Sequence, residues 1–202
     1  MKVISKSDIK SQEKEFIKIL KTNLNIKYLL ENIKFPENLS WYLVGGCVNQ
    51  TIWNFLTDRN WDYGINDYDL FYWDNDLSED KEKAIQENVV RQLSKLNCEF
   101  DVVNQARVYE WFNDYFGVSI PKYIDIENSI ATLPSTVTCI GVTKINNKLT
   151  TYAPFGLSDI LLMKLRYNFD TYIPYKFISP KIAKWMQKWP ELKVIKNSYP
   201  NE

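Results

Sequence analysis

The stretch Trp41-Tyr42-Leu43-Val44-Gly45-Gly46-Cys47-Val48-Asn49-Gln50-Thr51-Ile52-Trp53-Asn54-Phe55-Leu56, followed at 66–74 by Asn-Asp-Tyr-Asp-Leu-Phe-Tyr-Trp-Asp, decides the reading of this chain. Residues 41–44 are a short apolar run of strand formers. Two glycines interrupt it at once. Residues 48–56 then set Val48, Ile52 and Phe55 or Leu56 on one helical face. The pattern is strand, glycine turn, helix. Residues 67–74 are again rich in aromatic and aliphatic side chains and read as a second strand.

Side chains alternate along a strand, so Asp67 and Asp69 share a face and Tyr68 turns away. Two adjacent carboxylates repel and raise one another's pKa. A divalent cation compensates such a pair, and magnesium prefers hard oxygen ligands together with substrate phosphates. Asp101, just before Val102-Val103 in the strand candidate 98–103, offers a third carboxylate from a neighbouring strand. Three acids suit a site with two metals about 3.5–4 Å apart. Gly45 and Gly46 let backbone amides approach a phosphate at the start of a helix, where Asn49 and Gln50 add side-chain donors.

Outward from this centre, residues 8–33 are helical, divided near Asn23 and Asn25 and ended by Pro36. Residues 58–66 are a loop. Ser78 and the acids after it start a helix over 79–97, and 104–112 are helical. Residues 135–143 and 148–153 form a strand pair turning at Asn146-Asn147. Residues 154–165 are a turn and a helix, in which Asp159 complements the helix dipole. A last helix starts at Pro180 and runs to Trp189. Pro190 ends it, and the tail beyond is expected to be poorly ordered. The expected organisation is one unit over 1–202: an N-terminal helical segment (1–36), a core (40–165) and a C-terminal helical extension (166–202).

The chain has 202 residues, 25 Lys plus Arg, 25 Asp plus Glu and no histidine. Without histidine there is no Ser-His-Asp or Cys-His pair and no His-bound zinc. Chemistry must rest on carboxylates, Lys, Tyr, Cys or a carboxylate-bound metal. Zero net charge does not indicate a dedicated nucleic-acid binder. It conceals an acid-rich stretch at 58–80 and a Lys-rich one at 164–196. Cys47, Cys98 and Cys139 lie far apart, form no metal or redox motif, and read as buried small hydrophobes. No secretory h-region or membrane-length apolar run is present, so a reduced, cytoplasmic location is expected. Most of the abundant rings are core candidates, with one or two able to stack on a base. Lys181, Lys184 and Lys188 share a helical face, read as solvated and alternatively as a contact for an anionic acceptor.

Together these segments resemble the nucleotidyltransferase fold of the DNA polymerase beta superfamily. They are closer still to a bacterial nucleotidyltransferase-like family of about this length. The resemblance is carried by residues 45–56, 66–74, 101–108 (Asp-Val-Val-Asn-Gln-Ala-Arg-Val) and 153–160 (Ala-Pro-Phe-Gly-Leu-Ser-Asp-Ile). It implies an α/β (α+β) fold, a small mixed sheet flanked by helices. It implies transfer of a nucleoside monophosphate from an NTP to an acceptor hydroxyl, with release of pyrophosphate and two Mg²⁺ ions (Mn²⁺ as an alternative). Asp67, Asp69 and Asp101 would hold the metals, with Asp101 activating the acceptor. Gly45 and Gly46 would face the phosphates. Arg107 either clamps a phosphate or pairs with an acid of the site, and Asn104 and Gln105 fall in a family motif without a role assigned. Asn49-Gln50 replace the family's usual Arg-Asn, and Tyr109 stands where it usually has His. These departures support a second reading, a non-catalytic nucleotide-binding or interaction protein on the same fold. A third is a metal-dependent phosphohydrolase. The acceptor is not legible.

Overall fold

The structure is a computed structural model that describes residues 9–195. Its elements in chain order are α1 (Ile9–Leu20), α2 (Leu24–Asn32), β1 (Ser40–Val44), α3 (Gly46–Leu56), β2 (Asp67–Trp73), α4 (Glu79–Gln92), β3 (Glu99–Asn104), α5 (Val108–Phe116), α6 (Ile126–Ala131), β4 (Gly141–Ile145), β5 (Lys148–Tyr152), α7 (Ser158–Leu161), β6 (Lys164–Leu165), α8 (Tyr175–Lys188) and β7 (Lys193–Val194). Five strands make one mixed sheet in the order β3-β2-β1-β4-β5, flanked by helices. β2 and β3 run parallel, and the other neighbours are antiparallel.

The two faces of β2 differ as its alternating sequence requires. Tyr68, Leu70 and Tyr72 are buried, whereas Asp67, Asp69, Phe71 and Trp73 are only half-buried on the opposite face. The buried face joins a core with Val48, Ile52 and Trp53 of α3. Asn23 makes the break between α1 and α2. Its Oδ1 accepts from the backbone N–H of Asn25 and of Ile26, each at 3.0 Å, and its Nδ2 donates to Thr51 Oγ1 at 2.9 Å. The N-cap of α2 is thereby tied to α3.

The C-terminal helix is fixed by aromatic packing. The ring of Trp53 lies edge-on to both Trp185 and Trp189, at centroid distances of 5.4 Å. Trp189 Nε1 donates to Asn54 Oδ1 at 2.9 Å. Aromatic pairs of this kind add about 0.5–1.5 kcal/mol each beyond burial, so α8 is held firmly against α3.

Several expected elements differ. The helix from 79 stops at Gln92 rather than 97. Asn104 ends β3 and residues 105–107 are a turn, because Asn104 Oδ1 accepts from Ala106 N–H and closes the chain on itself before α5. Of the stretch 135–143 only 141–143 is strand, and the strand continues to Ile145; Ser135 and Thr138 bond one another in a local turn. Asn146 and Asn147 form the hairpin turn as expected, both with positive φ. The helix expected through 165 ends at Leu161; Met163 adopts φ 54°, and Lys164–Leu165 pairs with Lys193–Val194. That pairing orders the segment after Pro190 up to Ile195, and Leu192 is buried. α8 begins at Tyr175, with Pro180 inside it. α6 was not expected. Cys47 and Cys139 are buried, but Cys98 is only half-buried. Residues 1–8 of the expected N-terminal segment and 196–202 of the tail lie outside the described residues. Among the described residues no helix is long and apolar enough to cross a membrane.

Candidate active site

The turn after β1 is built for close approach. Gly45 has φ 74° and ψ −146°, a region open to glycine and strained for other residues. A Cβ there would collide with Asp69 Oδ2. The register explains why: Val44 pairs with Asp69. The Gly46 N–H lies near enough to the Asp69 carboxylate to lower its pKa, so this acid faces the positive end of α3.

Asp101 is the direct partner of Asp69 on the parallel strand β3, about 4.8 Å away in strand spacing. Asp67 lies two residues earlier on the same face of β2. The three acids expected from the sequence therefore occupy one face of two adjacent strands. Burial, then the charge of Asp67, push the Asp69 carboxyl up to about 6, with Asp101 adding to the rise. Lys181 of α8 and the Gly46 N–H act in the opposite direction. Among the described residues no three Asp, Glu, Cys or His side chains are gathered tightly enough to hold a metal ion by themselves.

Beside Asp69 opens a cavity of about 300 Å³. Val44, Gly45 and Asp69 form its sheet side, and Lys181 and Phe177 come from α8. Ser135 contributes a fully buried hydroxyl with no hydrogen-bond partner among the described residues. Lys181 Nζ lies 5.5 Å from the Trp185 ring centroid, so the packing that seats Trp185 against Trp53 also positions this cation. The helical Lys spacing contained this signal, but it did not distinguish Lys181 from Lys184, which does not line the cavity, or Lys188, which donates to Gly64 O at 3.3 Å.

Other expected residues sit elsewhere. Asn49 is fully buried, neither atom of its amide has a partner among the described residues, and it does not line the cavity. Gln50 is also buried and off the cavity wall, with its Nε2 against Gly46. Arg107 shows an ion-paired arrangement rather than a free phosphate clamp. It meets Glu82 at 2.6 Å, Glu110 at 3.0 Å and Glu79 at 3.4 Å, with only 9% of its side chain exposed. These acids are not those of the site. Asn104, opposite Tyr72, is three residues along β3 from Asp101, about 10 Å. Its side chain accepts from Asp74 N–H and donates to Asp74 O, each at 3.0 Å, tying together the ends of β2 and β3. Gln105 is buried and lines a smaller cavity next to the first. Tyr109 OH hydrogen-bonds Glu110 at 3.2 Å, away from the acids. Burial pushes the Cys47 thiol well up, which suits packing rather than nucleophilic attack.

A family model for nucleotidyltransferases matches residues 33–194. No curated protein matches the chain. Among solved structures, one determined by NMR and described as revealing a CCA-adding enzyme head domain is similar, with a TM-score of 0.69 and 19% identity. The similarity covers 90% of this chain and 94% of that one, and it shows a shared fold. The family match extends over most of the chain, including the glycine turn, all three acids and the body of α8, and so the protein belongs to this nucleotidyltransferase family.

Proposed function

We propose that the chain is a metal-dependent nucleotidyltransferase that moves a nucleoside monophosphate from an NTP to an acceptor hydroxyl. The observation that carries this reading is the placement of Asp69 and Asp101 side by side in register, with Asp67 on the same face, against a glycine turn no larger residue could make. The donor set fits a hard cation: these are oxygen ligands only, and magnesium takes one or two carboxylates and completes its shell with water and phosphate. Asp67, Asp69 and Asp101 would hold it. When bound, it would neutralise phosphate charge and the charge that develops during transfer.

The protein's own groups have separable tasks. Gly45 keeps the chain clear so that a phosphate can lie beside Asp69. Lys181 supplies the cation that the Asn49-Gln50 replacement removes from the family pattern. Asp101, exposed at the sheet edge, takes the proton of the acceptor hydroxyl as its oxygen bonds to the α-phosphorus. The bond from that phosphorus to the bridging oxygen breaks, and pyrophosphate leaves.

The test is to incubate the protein, Mg²⁺ and each α-³²P-labelled NTP with a cell extract separated into small molecules, RNA and protein. Label should pass to one fraction, and Asp67→Ala and Asp69→Ala should each abolish the transfer. Tight NTP binding with no transfer to any fraction would instead support the non-catalytic reading.

A further inference from the structure

A second cavity, of about 180 Å³, lies on the same side of the sheet and shares Phe71, Phe116, Leu133 and Ile173 with the first. Phe71 follows Asp69 by two residues on the same face of β2, so the two spaces meet about 7 Å from that acid. No charged side chain lines the second cavity; its walls are apolar and aromatic, with Val103, Trp111 and Phe112 among them. A cavity of about 150 Å³ with apolar walls accommodates one benzene ring, so this space suits one six-membered ring and not two fused ones.

The polar groups in its wall are not equivalent. Ser129 donates to Ile126 O at 2.7 Å. Thr132 and Tyr123 bond each other at 3.1 Å. Gln105 is different. Only 4% of it is exposed, its backbone N–H is used by Tyr72 O, and its side-chain amide has no hydrogen-bond partner among the described residues. The amide is not sealed off: it opens on the cavity, where a ligand can take up its hydrogen bonds. The amide offers both a donor and an acceptor.

We propose that this second cavity is a subsite for a single planar ring bearing hydrogen-bonding groups, with Gln105 as its specificity residue. The ring comes either from the base of the donor nucleotide or from the acceptor, so the assignment rests on the nucleotidyl-transfer reading. A purine is too large for the space. A polynucleotide backbone finds no cation in it.

The test uses the ¹⁵N-labelled full chain. Its reporters are the Trp111 indole N–H and the Gln105 side-chain amide, assigned through Trp111→Phe and Gln105→Leu. Phenol should shift both reporters saturably, and 2-naphthol, its two-ring counterpart, should bind at least about tenfold more weakly. Gln105→Leu should weaken phenol at least about fivefold. Val108→Phe, which fills the space from another wall, should abolish the shifts with Gln105 intact. With Mg²⁺, if UTP or CTP shifts the same reporters and displaces phenol, the ring is the donor's base. If NTPs bind and phenol still binds alongside them, the ring is the acceptor's. Equal binding of phenol and 2-naphthol, no shift with either, or indifference to both variants overturns the subsite. Phenol binding that depends on Gln105, in a protein that binds no NTP, keeps the subsite and overturns nucleotidyl transfer instead.

Discussion

Asp69→Asn removes the charge that the fold holds at greatest cost. The Asp69 carboxyl is pushed from its ordinary 3.8 to about 6, first by burial and then by Asp67. At 1.36 kcal/mol per pH decade, that gap amounts to about 3 kcal/mol. The folded value lies above the unfolded one, so folding favours the neutral acid. The stabilisation is complete below pH 3.8 and is lost as pH rises through about 6. At pH 8 without metal, the wild-type protein therefore carries the full penalty. Asparagine keeps the shape and removes the charge, and the weaker interaction it offers the Gly46 N–H is already contained in that gap. The expected net gain at pH 8 in EDTA is about 2–3 kcal/mol. For a chain of this size that raises Tm by about 4–12 °C. At pH 4 the gain should vanish. Mg²⁺ should raise the Tm of the wild type and leave the variant unchanged. Thermal denaturation of both proteins from pH 4 to 8, with EDTA and with Mg²⁺, is the assay. A variant less stable than wild type at pH 8, or a gain independent of pH, would refute the reasoning.

Gly45→Ala forces a side chain into a left-handed backbone region and onto the Asp69 carboxylate, so it should destabilise by at least about 2 kcal/mol in urea denaturation. Arg107→Gln leaves the half-buried Glu82 without its cation and should cost about 2 kcal/mol of stability while NTP affinity of the folded protein, measured by calorimetry, stays within about twofold. Lys181→Gln should leave stability nearly unchanged and weaken NTP binding about tenfold, with a shallower salt dependence. Lys181 also holds the Asp69 carboxyl down, so in this variant the acid limb of the pH dependence of metal-nucleotide binding should move to higher pH.

The centre of the fold was legible because its signals are local. The alternation in Asp67–Trp73 fixes which side chains share a face, and Gly45-Gly46 marks a turn that β1 and α3 confirm. What was not legible depends on distant partners. Arg107 and Asn104 look like site residues in a motif, but their neighbours are Glu79, Glu82 and Asp74, 25 to 30 residues away in sequence. Lys181 looks like one of three equivalent surface cations until the Trp53–Trp185 contact turns it toward Asp69. The helix read through 154–165 has an unbroken apolar pattern, but Met163 leaves the helical region and the chain instead finds a strand partner at Lys193–Val194. Gln105 gives no sequence signal beyond its motif, because a polar residue becomes informative only when its burial and its missing partner are both known.

The most direct test is to locate the metal and the nucleotide together. Crystals grown with Mn²⁺ and an NTP analogue that cannot release pyrophosphate would give anomalous scattering from the ion. The Mn²⁺ peak should lie between the Asp67 and Asp69 carboxylates, shared with phosphate oxygens, and the α-phosphate should lie within reach of Asp101. Mn²⁺ bound away from these acids, or a nucleotide held without contact to Asp69 and Lys181, would contradict it.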